Sequence, residues 1–144
     1  MTFDKKIVDG CSRHRPDVFI DFGTHCIIIE VDENRHVSYE CEMKRMVALF
    51  EDIGFRNAIF LRFNPDAYTE NGKVHRTPFE YTPTGILRIH EPEMKRRMAQ
   101  LVLRVQAYKD TAPTEPFIAE YLFYGDEVVA EDLNTPHPLP SSPP

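Results

Sequence analysis

Hydrophobic and polar positions follow two different periods along this chain, and each change of period marks an element. Phe3–Val8 reads as a short strand leading into a turn at Gly10. Pro16–Phe22 is rich in β-forming residues and bounded by Gly23, which predicts a second strand. His25-Cys-Ile-Ile-Ile-Glu-Val-Asp32 is a nearly unbroken apolar run ending in acids, the pattern of a central strand covered on both faces. Only Gly23-Thr24 separates these two strands, so an antiparallel hairpin is expected. From Ser38 the period lengthens. Met43, Met46, Val47, Phe50 and Ile53 recur at helical spacing, and Gly54 supplies the stop. Ala58–Phe63 is again an apolar strand, ended by Asn64-Pro65-Asp66. A helix between two strands of one sheet is the crossover that parallel neighbours require.

The second half is less regular. Tyr68–Arg88 is polar and contains Gly and Pro, so it reads as a long loop with at most a short extended piece. Pro92 opens a second helix whose regular face is Met94, Met98, Leu101, Val105 and Tyr108. Phe117–Tyr124 reads as a last strand at a sheet edge. The order β-β-β-α-β, loop, α-β predicts an α/β sandwich with a mixed sheet over residues 1–131. The tail 132–144 is too Pro-rich to join a core and is expected to be disordered.

At 144 residues the chain has the length of one domain with a single core. A net charge of −6 argues against a simple basic nucleic-acid binder. The charge is uneven, however. Lys95, Arg96, Arg97 and Arg104 lie close together, while acids gather at Glu30–Glu33 and Glu40–Glu42. There is no run of 18 apolar residues to span a membrane, and the N-terminus lacks the apolar stretch of a secretion signal. Cys11, Cys26 and Cys41 are odd in number and widely spaced, matching neither a disulfide framework nor paired zinc knuckles. They read as reduced thiols of an intracellular protein, nuclear or cytoplasmic.

Candidate chemistry lies at the ends of the hairpin. Asp17 and Glu30 are almost equidistant from the Gly23-Thr24 turn and should stand nearly opposite each other. Glu30 and Asp32 differ by two positions and share a strand face. Three carboxylates brought together in this way repel unless a cation such as Mg²⁺ or Mn²⁺ joins them. Such an ion activates water and neutralises charge on a phosphate. The plainer reading is that these are solvated strand ends. The apolar run Cys26–Ile29 tips the balance, because the end of a central strand opens onto a cleft in α/β folds. His36 follows as a candidate proton-transfer residue, with a surface histidine as the alternative. Lys44 and Arg45 lie on the following helix. Arg45 and Arg62 are candidates for phosphate contact, or equally for ordinary salt bridges. His14, His25, His75, His90 and His137 have no partner spacing.

Pro16-Asp17, then Glu30-Val-Asp32 after twelve residues, resembles the Pro-Asp…(Asp/Glu)-x-Lys pattern of the restriction-endonuclease-like superfamily. The longer set Arg15-Pro-Asp17, Glu30-Val-Asp-Glu-Asn-Arg-His36, Lys44-Arg45 and Ile59-Phe-Leu-Arg-Phe-Asn-Pro-Asp66 is similar to the very-short-patch-repair branch. It is more similar still to an endonuclease-like family of large DNA viruses and algae. The resemblance covers residues 3–80. It implies a restriction-endonuclease-like sandwich, a mixed sheet flanked by helices. It also implies Asp17 and Glu30 as metal ligands, Asp32 as a further acid and His36 as the proton-transfer residue. The fold commonly has a helix before its first strand, so a preceding domain is expected to be absent from this chain. One departure stands out: Asp32 occupies the place of the superfamily's lysine, leaving its role to His36, to Lys44 or to the metal alone.

The function expected is therefore a Mg²⁺- or Mn²⁺-dependent endonuclease acting on DNA, with RNA as the alternative to DNA, in an intracellular or viral setting. Arg15, Lys44, Arg45, Arg62, Lys95 and Arg96 are the expected phosphate contacts, and double-strand cutting would call for a homodimer. The alternative is a nucleic-acid-binding module that keeps this fold and does not cut, using the Lys95–Arg104 helix and the Tyr68–Arg88 loop. A third reading, with the tail as a polyproline ligand, rests on Pro136–Pro144 alone.

Overall fold

The computed structural model describes residues 1–7, 10, 14–33 and 39–127. Val8, His36 and the tail 132–144 lie outside them. Along the chain the elements are β1 (Thr2–Phe3), β2 (Val18–Asp21), β3 (His25–Val31), α1 (Tyr39–Asp52) and β4 (Asn57–Phe63). There follow β5 (Tyr68–Glu70), β6 (Lys73–His75), β7 (Phe79–Tyr81), β8 (Leu87–Ile89), α2 (Glu91–Lys109) and β9 (Phe117–Leu122), then a 3₁₀ turn at Gly125–Glu127.

One mixed sheet carries the order β1-β2-β3-β4-β9. The β2–β3 hairpin is antiparallel with Val18 opposite Ile29, and β3, β4 and β9 run parallel. The chain reverses at Gly23, whose φ of 82° suits a residue without Cβ, and the Gly23 N–H donates to Asp21 Oδ1 (2.7 Å). Both the hairpin and the α1 crossover match the sequence reading, as does β9 at the sheet edge.

The period of two on the strands divides the core into two layers. Cys26, Ile28, Ala58 and Phe60 pack against Met46, Leu49, Phe50 and Ile53 of α1. Ile27, Ile29, Ile59 and Leu61 face the other way, toward Leu101, Val105 and Tyr108 of α2. The protein is thus an α/β fold with a mixed sheet between two helices. No described helix is long and apolar enough to cross a membrane.

Two expectations are corrected. Tyr68–Arg88 is not a loop with one extended piece: it forms two antiparallel hairpins, β5–β6 and β7–β8. Secondly, α2 does not present Met98 inward. Met98 is 43% exposed, and the inward places nearer the helix start are held by Glu93 and Arg97, both buried. The reason is what α2 covers there. Arg97 donates to the carbonyls of Asn64 (2.7 Å), Asp66 (2.9 Å) and Arg76 (2.8 Å), backbone acceptors that an apolar side chain would leave unpaired.

Candidate functional site

The carboxyl ends of β3 and β4 open into a cleft of about 710 Å³ on the α1 side of the sheet. Asp17, Glu30, Val31, Asp32, Glu33, Glu42, Arg45 and Arg62 line it. Ligand sites of open α/β sheets lie outside the carboxyl ends of parallel strands. Each side chain arrives for a legible reason. Extending the β2–β3 register by one pair sets Asp17 opposite Glu30, and Glu30 and Arg62 are register partners on β3 and β4. Glu42 and Arg45, three residues apart, share a face of α1.

Asp17 Oδ2 accepts the Val31 N–H (2.7 Å), which ties the start of β2 to the end of β3. Glu30 is buried at 5% exposure, and its Oε2 accepts from Arg45 Nη2 (3.1 Å). Its Oε1 is buried and has no hydrogen-bond partner among the described residues. Burial raises the Glu30 pKa, Arg45 opposes the rise, and the Asp17 charge adds to it. Arg45 also donates to the Arg15 carbonyl (2.9 Å) and contacts His14 Nδ1 (3.1 Å).

Asp32 has other partners. Arg62 grips it with Nε on Oδ2 (2.8 Å) and Nη2 on Oδ1 (2.5 Å), and the Tyr124 hydroxyl donates to Oδ2 as well. Burial, then the Asp32 contact, pushes the Tyr124 pKa well up, so the phenol stays protonated. Glu42 Oε1 stands 3.7 Å from Arg62 Nη2, and burial raises the Glu42 pKa.

The structure therefore gathers Asp17, Glu30, Asp32, Arg45 and Arg62, and adds Glu42 and Tyr124. Arg15 takes part through its carbonyl, and Lys44 is exposed on α1. His36 lies outside the described residues. Lys95 and Arg96 sit on α2, against the opposite face of the sheet. There Lys95 pairs with Glu91 (3.2 Å), and Arg96 with Glu93 and the Tyr68 hydroxyl (2.7 Å each). Glu42 had a local signal in its three-residue spacing from Arg45. Tyr124 had none, because its partner is 92 positions away.

The three carboxylates stand in an acid–arginine array, with Asp32 paired to Arg62 and Tyr124. Among the described residues, no group of three or more His, Cys, Asp or Glu side chains is set to hold a metal ion. A pair remains, Asp17 and Glu30. Mg²⁺ commonly binds through only one or two carboxylates and keeps several waters. The open Glu30 Oε1 fits such an ion, as does a lining of five carboxylates to two guanidiniums. Comparison with models of known families, with curated proteins and with solved structures gave no match.

Proposed function

We propose that the cleft binds Mg²⁺ or Mn²⁺ at Asp17 and Glu30 and that the protein hydrolyses phosphodiester bonds of DNA, on a restriction-endonuclease-like fold. The observation that carries the reading is the buried, unpartnered Glu30 Oε1 across the hairpin from Asp17, at the carboxyl end of a parallel strand. The resemblance of Pro16-Asp17 and Glu30-Val-Asp32 to the endonuclease pattern supports it. A divalent cation supplies water activation and charge neutralisation at phosphorus in such a site. Arg45 favours the ionised form of Glu30 against the effect of burial, which a metal ligand needs. The Val31 N–H orients Asp17. His36 is the proposed proton-transfer residue.

The test is nicking of supercoiled plasmid with Mg²⁺ or Mn²⁺. Asp17→Asn and Glu30→Gln should abolish it while circular dichroism is unchanged. Undiminished cutting by the folded double variant would sink the reading.

One observation favours a second reading, a module that binds nucleic acid without cutting. Asp32 stands where the resemblance calls for a lysine, and both its oxygens are taken. Salt-sensitive DNA binding with no cleavage in any of several divalent metals would select it.

A further inference from the structure

We infer that Arg62 is the group in this cleft that meets a phosphate oxygen, and that Asp32 acts by holding the Arg62 guanidinium rather than by binding metal. The Arg62 side chain is 3% exposed. Its Nε and Nη2 are committed to Asp32, which Tyr124 steadies from behind, and Glu42 flanks Nη2. Its Nη1 is buried and has no partner among the described residues. Buried donors on a charged group are rarely left open, since they lose hydration without compensation.

The opening is selective. Among the described residues only two buried side-chain nitrogen or oxygen atoms lack a partner, Arg62 Nη1 and Glu30 Oε1. They belong to register partners on neighbouring parallel strands, so both side chains rise from the same face. One is a donor on a cation and the other an acceptor on an anion. A ligand that completes both presents positive charge to Glu30 and an acceptor oxygen to Arg62, as a cation-bound phosphate does. Arg45 is not equivalent: its Nη1 meets His14, and its Nη2 is shared by Glu30 and the Arg15 carbonyl. A guanidinium clamped along one edge has its remaining N–H groups fixed in direction, which suits recognition of a planar or tetrahedral oxyanion. Asp32 is then a positioning residue, and its place beside the metal pair follows from where Arg62 must stand. The identity of the ligand rests on the phosphodiester reading; the clamp does not.

The experiment is titration of inorganic phosphate followed by ³¹P NMR in buffer containing Mg²⁺, with Mn²⁺ calorimetry on the same proteins. Wild type should bind phosphate saturably. Asp32→Asn should weaken phosphate about tenfold or more, the usual effect of removing an orienting partner, with Mn²⁺ affinity nearly unchanged. Tyr124→Phe, which keeps the ion pair and the fold, should weaken phosphate by about fivefold or less, one hydrogen bond's worth. The inference is overturned by the absence of saturable phosphate binding to wild type, by unchanged phosphate affinity in both variants, or by collapse of Mn²⁺ affinity in Asp32→Asn. A nicking assay on these samples separates the two proposals. Phosphate held by Arg62 without nicking removes the hydrolase alone, whereas full-rate nicking by folded Asp32→Asn removes the Arg62 assignment alone.

Discussion

Two buried arginines stand on opposite faces of the sheet, and their surroundings differ. Arg97, fully buried on α2, has every guanidinium nitrogen occupied: Nε by Glu93 (2.8 Å), Nη1 by two carbonyls and Nη2 by a third. Arg62, almost as buried on β4, has Nε and Nη2 occupied and Nη1 buried without a partner among the described residues. Burial and an acid partner are common to both, so neither property separates a structural strut from a functional group. The unpartnered nitrogen sets Arg62 apart. Arg97 ties α2 to the segment leaving β4, and its chemistry is complete within the fold. Arg62 lines a cleft rich in carboxylates and lacks one acceptor.

The contrast breaks most visibly at Arg97. Arg97→Met leaves three carbonyls without their donor and Glu93 with Arg96 alone, and should cost about 3–5 kcal/mol in urea unfolding, the usual cost of removing one partner of a buried pair. A loss under about 1 kcal/mol would show that Arg97 is not the strut described. Next in size is the proposed metal pair: Glu30→Gln should weaken Mn²⁺ by at least about tenfold while costing little stability, since Glu30 already has an unsatisfied oxygen.

Acid should separate the two clusters in opposite senses. Hydrogen bonding from Arg96, then Arg97, pulls the Glu93 pKa down to about 2, below its unfolded value. Its stabilising contribution is therefore complete above the ordinary glutamate range and is lost as pH falls through that range toward about 2. Urea midpoints should fall over this window, and less so in Arg96→Gln. Glu30 shifts upward by burial, so it takes up a proton before an ordinary glutamate does. Mn²⁺ affinity should accordingly decline at pH values above the ordinary glutamate range. Affinity that holds down to that range would contradict the buried placement of Glu30. The smallest effect is Tyr124→Phe, about 1 kcal/mol in stability for one lost hydrogen bond to Asp32.

The site was legible where counting along the chain fixes geometry. The two-residue turn at Gly23-Thr24 sets the β2–β3 register, hence Asp17 opposite Glu30 and Glu30 level with Asp32. The period of two and the α1 crossover then give the parallel β3–β4 pair. What could not be counted was which charges meet. Asp32 is claimed by Arg62, thirty positions on, and by Tyr124 after the last strand; no local pattern announces either. The missed hairpins have strands of three residues, too short to show alternation. Asn71-Gly72 is nonetheless a two-residue turn signal, with positive φ at both positions. The inward Glu93 and Arg97 of α2 were illegible because periodicity assigns apolar residues to a buried face, and here that face meets backbone carbonyls.

The most direct measurement is Mn²⁺ calorimetry on wild type, Asp17→Asn and Asp32→Asn at neutral pH. Saturable binding by wild type and Asp32→Asn, with none by folded Asp17→Asn, is the result this account predicts. Equal binding by all three proteins, or loss in Asp32→Asn with retention in Asp17→Asn, would contradict it.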